Sequence, residues 1–209
     1  MGIFRRRLLI RAALSAVPEL PDWFQKSLIL WYSIPRQKAT NGSLAASPLL
    51  VDFSGNGMDG TLYNFSFSGL SGIGSSDPEY LFFDGVDDRL RTAAAFDADV
   101  GTVLMEMMDM TDGASKFQTF FDVEIIRTYL QRTSGNVLTA GSGNTLGVEG
   151  NIYRIDYSSR HLSSKLSVGA NVFSKEFSLV GLRQMMMFSR NLTEKEYEWI
   201  KLNLMRQDT

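Results

Sequence analysis

The side chains best suited to chemistry in this chain are carboxylates and amides packed into two short turns. Asp52, Asn56 and Asp59, with Ser54, lie within VDFSGNGMDG at 51–60; Asp84, Asp87 and Asp88 lie within FDGVDD at 83–88. A calcium ion takes roughly six to eight oxygen ligands in a flexible arrangement, which such loops can supply together with backbone carbonyls. The same side chains can instead cap turns by accepting hydrogen bonds from nearby backbone amides. Both readings stand at this level. An EF-hand is excluded, because the twelfth position of the window 52–63 is Tyr63 and not glutamate.

Other chemistry finds less support. Retaining glycoside hydrolysis needs two carboxyls about 5–5.5 Å apart. Glu106 and Asp109 in MEMMDM have an odd separation, so on a regular strand they point to opposite faces. Asp122 and Glu124 share a face but have no third carboxylate in pattern, and both pairs read as solvent-facing acids. His161, the single histidine, lies in the polar segment SSRHLSSK and reads as a surface loop residue, so no multi-histidine zinc site forms within one chain. There is no cysteine, which excludes disulfides, thiolate metal sites and a cysteine nucleophile. The GSGN turn at 141–144 has no helix with lysine after it and is no phosphate loop.

Composition sets the outer limits. The 209 residues are 44% hydrophobic and 21% charged, which suits one large ordered β domain with appendages. The net charge of −2 gives no nucleic-acid footprint overall. No apolar run approaches the roughly 20 residues that span a bilayer. The first 17 residues differ, since Arg5, Arg6, Arg7 and Arg11 all precede the first acid, Glu19. Arg11 interrupts a short apolar run and the cleavage signal is poor, so a signal peptide fits badly. An arginine-rich arm that docks on a protein partner fits better, because guanidinium forks pair with carboxylates while their stems cover apolar surface.

The elements that hold these residues read as β-strands. Residues 1–26 form a basic anchoring arm and linker, and residues 27–209 the main domain. SLILWYSI at 27–34, LFF at 81–83, TVLMEMMDM at 102–110, KLSVGANV at 165–172 and FSLVGLRQMMMFSR at 177–190 are strand candidates. KFQTFFDVEIIRTYLQR at 116–132 is too long for one flat strand and reads as two. In NIYRIDYSS, Tyr153, Ile155 and Tyr157 take one face and Arg154 and Asp156 the other, the period of a half-buried strand. Met185, Met186 and Met187 alternate faces, so an outward methionine could be interface surface. Thr193 and Glu196 form a capping box, and Tyr197, Ile200 and Leu204 line one face of a helix over 194–205. About a dozen strands without βα alternation give an all-β, antiparallel jelly-roll sandwich with a C-terminal helix.

LILWYS at 28–33, DFSGNGMDGTLYN at 52–64, LFFDGVDD at 81–88, SVGAN at 167–171 and MMMFSRNLTEKEYEWI at 185–200 together resemble the concanavalin A-like lectin/glucanase superfamily in its laminin-G-like branch. The resemblance covers residues 27–205 and implies the sandwich fold. Hydrolases of that superfamily carry E-x-D-x-x-E on one strand; here Met108 stands where aspartate is wanted and Thr111 where the last glutamate is wanted. A structural calcium in the acidic turns is allowed by the resemblance. With the basic leader, the chain also resembles virion proteins of tailed phages, including capsid-attached fibres.

The expectation is therefore a non-enzymatic structural protein at the capsid surface of a virion. Its arm would bind capsid or fibre proteins, and the sandwich would work as a dimer or trimer. The alternative is a secreted or surface carbohydrate-binding, lectin-like module. Trp31, Tyr32, Tyr63, Tyr80, Tyr129 and Tyr153 are numerous enough for a sugar platform, but strand patterning buries many of them. Trp199 lies off the apolar helix face and is either exposed or packed through the helix shoulder.

Overall fold

The computed structural model describes residues 19–110, 118–123, 128–133, 137–141, 144–170 and 176–205. Two antiparallel sheets face each other. Sheet I runs β11 (Thr145–Glu149), β12 (Ile152–Leu162), β7 (Ala98–Asp109), β14 (Leu179–Phe188), β5 (Leu81–Asp84) and β4 (Gly72–Ile73). In that sheet β1 (Leu28–Ser33) also pairs with β14. Because β7 takes one edge of β14 over 180–188, β5 and β1 divide the other edge between residues 179–182 and 184–188. Sheet II runs β10 (Leu138–Thr139), β9 (Thr128–Arg132), β8 (Gln118–Val123), β13 (Leu166–Val168), β6 (Arg89–Thr92), β3 (Gly60–Tyr63) and β2 (Leu49–Leu50). The long 116–132 run does divide, into β8 and β9, which pair with each other.

Alternation builds the core between the sheets. Tyr153, Ile155 and Tyr157 of β12 pack there with Val103, Met105 and Met107 of β7 and with Met185 and Met187 of β14. From sheet II come Leu62, Leu90, Phe121, Leu130, Leu166 and Val168. Truncating one such aliphatic side chain to alanine typically costs about 2–5 kcal/mol.

Sheet I is apolar on its outer face as well. Leu104, Ile152, Met186 and Phe188 point away from the sandwich and meet Leu28 and Trp31 of β1. Two helices cover them: α1 (Asp22–Ser27) through Phe24 and, at the C-terminus, α4 (Glu194–Leu204) through Tyr197 and Ile200. Two further short helices, α2 (Ile34–Gln37) and α3 (Asn41–Ala46), follow β1. Phe24 is edge-on to Trp31 at 5.5 Å and to Phe188 at 5.6 Å.

Two expectations change here and one alternative is decided. The segment before residue 27 is not all linker, because Phe24 anchors a helix in a packed cluster. Met186 faces outward but meets the protein's own helices and is fully buried, so it is no interface surface. Trp199 packs through the helix shoulder, edge-on to Trp23 at 5.9 Å. The capping box of α4 forms as the sequence predicts, with Thr193 Oγ1 accepting from the Glu196 amide and Glu196 accepting from the Thr193 amide.

Candidate functional site

A groove of about 380 Å³ opens at the β11 edge of sheet I, between the first turns of α4 and strands β11 and β12. Its lining is Thr145, Gly147, Val148 and Glu149 from β11, Arg154 and Asp156 from β12, and Glu194 and Tyr197 from α4. Register explains the grouping. Thr145 stands opposite Asp156 and Gly147 opposite Arg154, so the outward residues of β12 meet the edge strand directly.

The lead-in to α4 is fixed by three contacts. At Gly101 a Cβ would come within 2.0 Å of the Arg190 carbonyl carbon, so only glycine lets that backbone cross β7 so closely. The Leu192 amide donates to Thr102 Oγ1 at 3.0 Å. Arg154 Nη2 donates to the Leu192 carbonyl at 2.9 Å, Nη1 to Glu194 at 2.9 Å and Nε to Asp156 at 2.9 Å. One guanidinium thus holds two carboxylates and the helix entry.

The Tyr197 ring closes the groove. Arg154 lies 4.8 Å and Lys201 4.9 Å from the ring centroid. Tyr197 Oη donates to Glu149 at 3.3 Å, and Lys201 Nζ donates to both Glu149 oxygens at 3.0 and 2.7 Å. Burial, with the Glu149 charge adding, pushes the Tyr197 hydroxyl up to about 12. Hydrogen bonding from Lys201 holds the Glu149 carboxyl below its usual range. The groove therefore presents carboxylate acceptors and guanidinium donors side by side against the Tyr197 ring.

The two acidic turns differ from each other. Asp52 is buried, and its Oδ1 accepts from the Trp31 and Ser54 amides at 3.0 and 2.9 Å. Its Oδ2 accepts from Ser54 Oγ at 2.7 Å and the Met58 amide at 3.0 Å. Asp59 accepts from the Asp52 amide at 2.9 Å, and Asn56 donates to the Leu28 and Ile29 carbonyls. This turn is held by capping. Asp84, Asp87 and Asp88 instead bring one carboxylate oxygen each within 4.8 Å of one another, an arrangement that could hold a metal ion.

The remaining candidates separate. Glu106 is not solvent-facing: it is buried on the outer face of sheet I, accepting from Arg183 Nη1 at 2.8 Å and Gln184 Nε2 at 2.7 Å. The β-bulge at 182–184 brings Arg183 there, and no spacing rule reveals it. His161 sits on β12, not in a loop, with its ring nitrogens 3.1 Å from Asp97 and from Asp99. Trp31, Tyr32, Tyr80 and Tyr153 are buried and Tyr129 is partly so. Tyr63 is 40% exposed, with the Arg89 guanidinium 5.0 Å from its ring centroid. Arg5, Arg6, Arg7, Arg11, Thr111 and Glu124 lie outside the described residues, as does the side chain of Asp109. Among the described residues no helix is long and apolar enough to cross a membrane.

No family model matches the chain, and no curated protein matches it in sequence. Solved structures match it in fold. A mutant Trypanosoma rangeli sialidase displaying trans-sialidase activity aligns with a TM-score of 0.55 and 11% identity. The Trypanosoma rangeli sialidase in complex with sialic acid aligns at 0.54 and 11%. Each alignment covers 99% of this chain and 39% of the sialidase chain, so this chain spans about two fifths of that length. A weaker likeness, TM-score 0.47 and 12% identity, is to the botulinum neurotoxin serotype D binding domain, over 84% of this chain and 51% of that one. At such identities the likeness is one of fold, a β-sandwich.

Proposed function

We propose that the chain is a non-catalytic carbohydrate-binding module, a concanavalin A-like sandwich of the laminin-G-like kind, working outside the cell and taking a glycan in the groove beside β11. The observation that supports this is the groove itself: a concave site where the Arg154 guanidinium and three carboxylates stand beside the Tyr197 ring. Sugar hydroxyls donate and accept at once, and paired ions of this kind offer both roles. Charge selects within that class. Glu149, Asp156 and Glu194 are three carboxylates against two cations, Arg154 and the neighbouring Lys201, so a neutral glycan is favoured over an anionic one. The sialidase complex holds sialic acid, which is anionic; the groove of this chain is unsuited to that charge.

A capsid-attached role rests on the arginine arm alone, whereas the groove belongs to the described sandwich. The test is a glycan array probed with the wild-type chain and with Gly147→Trp. Among the described residues Gly147 has nothing within 4 Å of its Cβ direction, so an indole there fills the groove without displacing the fold. Neutral glycans should bind the wild type and lose at least tenfold in affinity with the variant. Equal binding by both proteins would place the site elsewhere, and no binding to any glycan would sink the reading.

A further inference from the structure

The chain treats the edges of its two sheets unequally. A sheet edge presents unpaired amides and carbonyls that can template another strand, and folded proteins usually blunt or cover it. On the β4 edge one side chain does this: Asn41 Oδ1 accepts from the Ile73 amide at 2.7 Å, and its Nδ2 donates to the Ile73 carbonyl at 3.1 Å. On the β2 edge Gln37 does the same, accepting from the Val51 amide at 2.8 Å and donating to the Leu49 carbonyl at 2.6 Å. The free side of β1 is closed by the turn at 52–59. There Asp52 accepts from the Trp31 amide, and Asn56 donates to the Leu28 and Ile29 carbonyls.

Strand β11 is left open. It is the outer strand of sheet I, and among the described residues its backbone pairs with β12 alone. Thr145, Gly147, Val148 and Glu149 are all exposed. The strand holds no proline or lysine, and its one charge, Glu149, sits at the last residue beside Lys201. The hairpin fixes which groups face outward. Gly150, at φ +55°, and Asn151 make a two-residue turn, so Glu149 and Ile152 form a hydrogen-bonded pair. Alternation along the ladder then turns the amides and carbonyls of Leu146 and Val148 to the open side. Their side chains lie on the inner face, since Leu146 stands opposite Ile155 and Val148 opposite Tyr153, both core residues.

Gly147 is a second, independent observation. Glycine inside a strand weakens it, and often marks a place where a ligand or another backbone comes close. The chain's own packing does not require it: among the described residues nothing lies within 4 Å of a Cβ built there, and its φ is not left-handed. The strand is also self-complementary about this residue, with Leu146 and Val148 on either side and Thr145 and Glu149 beyond them.

We propose that β11 pairs antiparallel with β11 of a second copy of this chain, about a two-fold axis at Gly147, joining two copies of sheet I edge to edge. In that register Leu146 exchanges both backbone bonds with Val148 of the second copy, and the apolar inner face runs on across the seam. Thr145 meets Glu149 of the second copy, a hydroxyl donor against a carboxylate, so no like charges stand opposite each other. The two glycines face each other as a non-hydrogen-bonded pair, whose Cα atoms approach to about 4.5 Å. One short edge buries less than the roughly 1,000 Å² of a tight interface, so the dimer is weak and concentration-dependent. The pairing does not rest on the glycan reading.

The test uses the full chain with no sugar added. Sedimentation between about 10 μM and about 1 mM should show a reversible monomer–dimer equilibrium. Val148→Lys, at a half-exposed position, puts an inward-pointing charge on the seam. It should raise the dissociation constant at least tenfold and leave the melting temperature of dilute protein unchanged. In the wild type, amide exchange at Leu146 and Val148 should slow at least fivefold from the dilute to the concentrated sample. Gly147 and Glu149, already bonded to β12, should not change. A chain that stays monomeric throughout, a dimer that Val148→Lys does not weaken, or a dimer whose Leu146 and Val148 amides gain no protection would overturn the proposal.

Discussion

The turns at 52–59 and 84–88 are nearly the same in composition, each placing aspartates around a glycine beside an apolar strand. In the folded chain they do opposite things. Asp52 sits between β1 and the turn, and amides from three separate positions converge on it. Asp88 is equally hidden but, among the described residues, keeps one unpartnered oxygen beside two more carboxylates. Burial alone therefore does not tell how well an aspartate is satisfied. The number of donors that reach it does.

The largest expected effect is at the saturated turn. Asp52→Ala removes the acceptor for the Trp31, Ser54 and Met58 amides and leaves buried donors unpaired, so unfolding free energy should fall by about 3 kcal/mol or more. Chemical denaturation measures it. A loss no larger than that of Asp88→Asn would erase the contrast between the turns. Next comes Asp88→Asn, which should be near neutral or stabilising, because it removes one of three crowded carboxylate charges.

A third carboxylate gives the smallest effect. Glu196 resembles Asp52 in being saturated but lies nearer the surface, accepting from the Thr193 amide at 2.8 Å and from Arg190 at 2.6 and 2.9 Å. Hydrogen bonding from Arg190 holds its carboxyl down at about 2. A depressed carboxylate stabilises the fold above its unfolded value of roughly 4.3, and that contribution drains away as pH falls toward 2. Thr193→Ala should cost about 1 kcal/mol at pH 7 through loss of the cap. Glu196→Gln should flatten stability between pH 4.3 and 2 in a urea-melt series. A slope as steep as wild type would assign the acid sensitivity to other groups.

Much of the fold was legible because strands β3 and β6 of sheet II obey simple alternation. In β6, Leu90 enters the core while Arg89 and Arg91 turn outward, and β3 repeats this with Leu62 against Thr61 and Tyr63. Sheet I breaks the rule in β14, where Met185 and Met187 fill one cluster while Met186 and Phe188 fill another. An unbroken apolar run is what a strand buried on both faces requires. Locally it cannot say whether the second cover is a partner or the chain's own helices. Phe24 supplied that cover from a stretch too short and too proline-flanked to read as a helix.

The candidate sites were legible only in part. Alternation in NIYRIDYSS put Arg154 and Asp156 on the outward face, and the capping box located the start of α4. β11 comes opposite them through a two-residue hairpin at Gly150 and Asn151, a pairing that alternation within β12 does not itself announce. Glu149 joined the groove by that pairing, and Glu194 and Tyr197 by the packing of α4 over the outer face. Both aspartate turns were visible as clusters of oxygen, but the donors that distinguish them come partly from β1, more than twenty residues away from Asp52.

The most direct test of glycan binding beside β11 is an amide-resolved nuclear magnetic resonance titration of the wild-type chain with a neutral glycan selected on the array. Shifts confined to Gly147, Val148, Arg154 and the first turn of α4, and absent in Gly147→Trp, are the predicted result. Shifts centred on Tyr63 and the outer face of sheet II, or unchanged binding in the plugged variant, would contradict it.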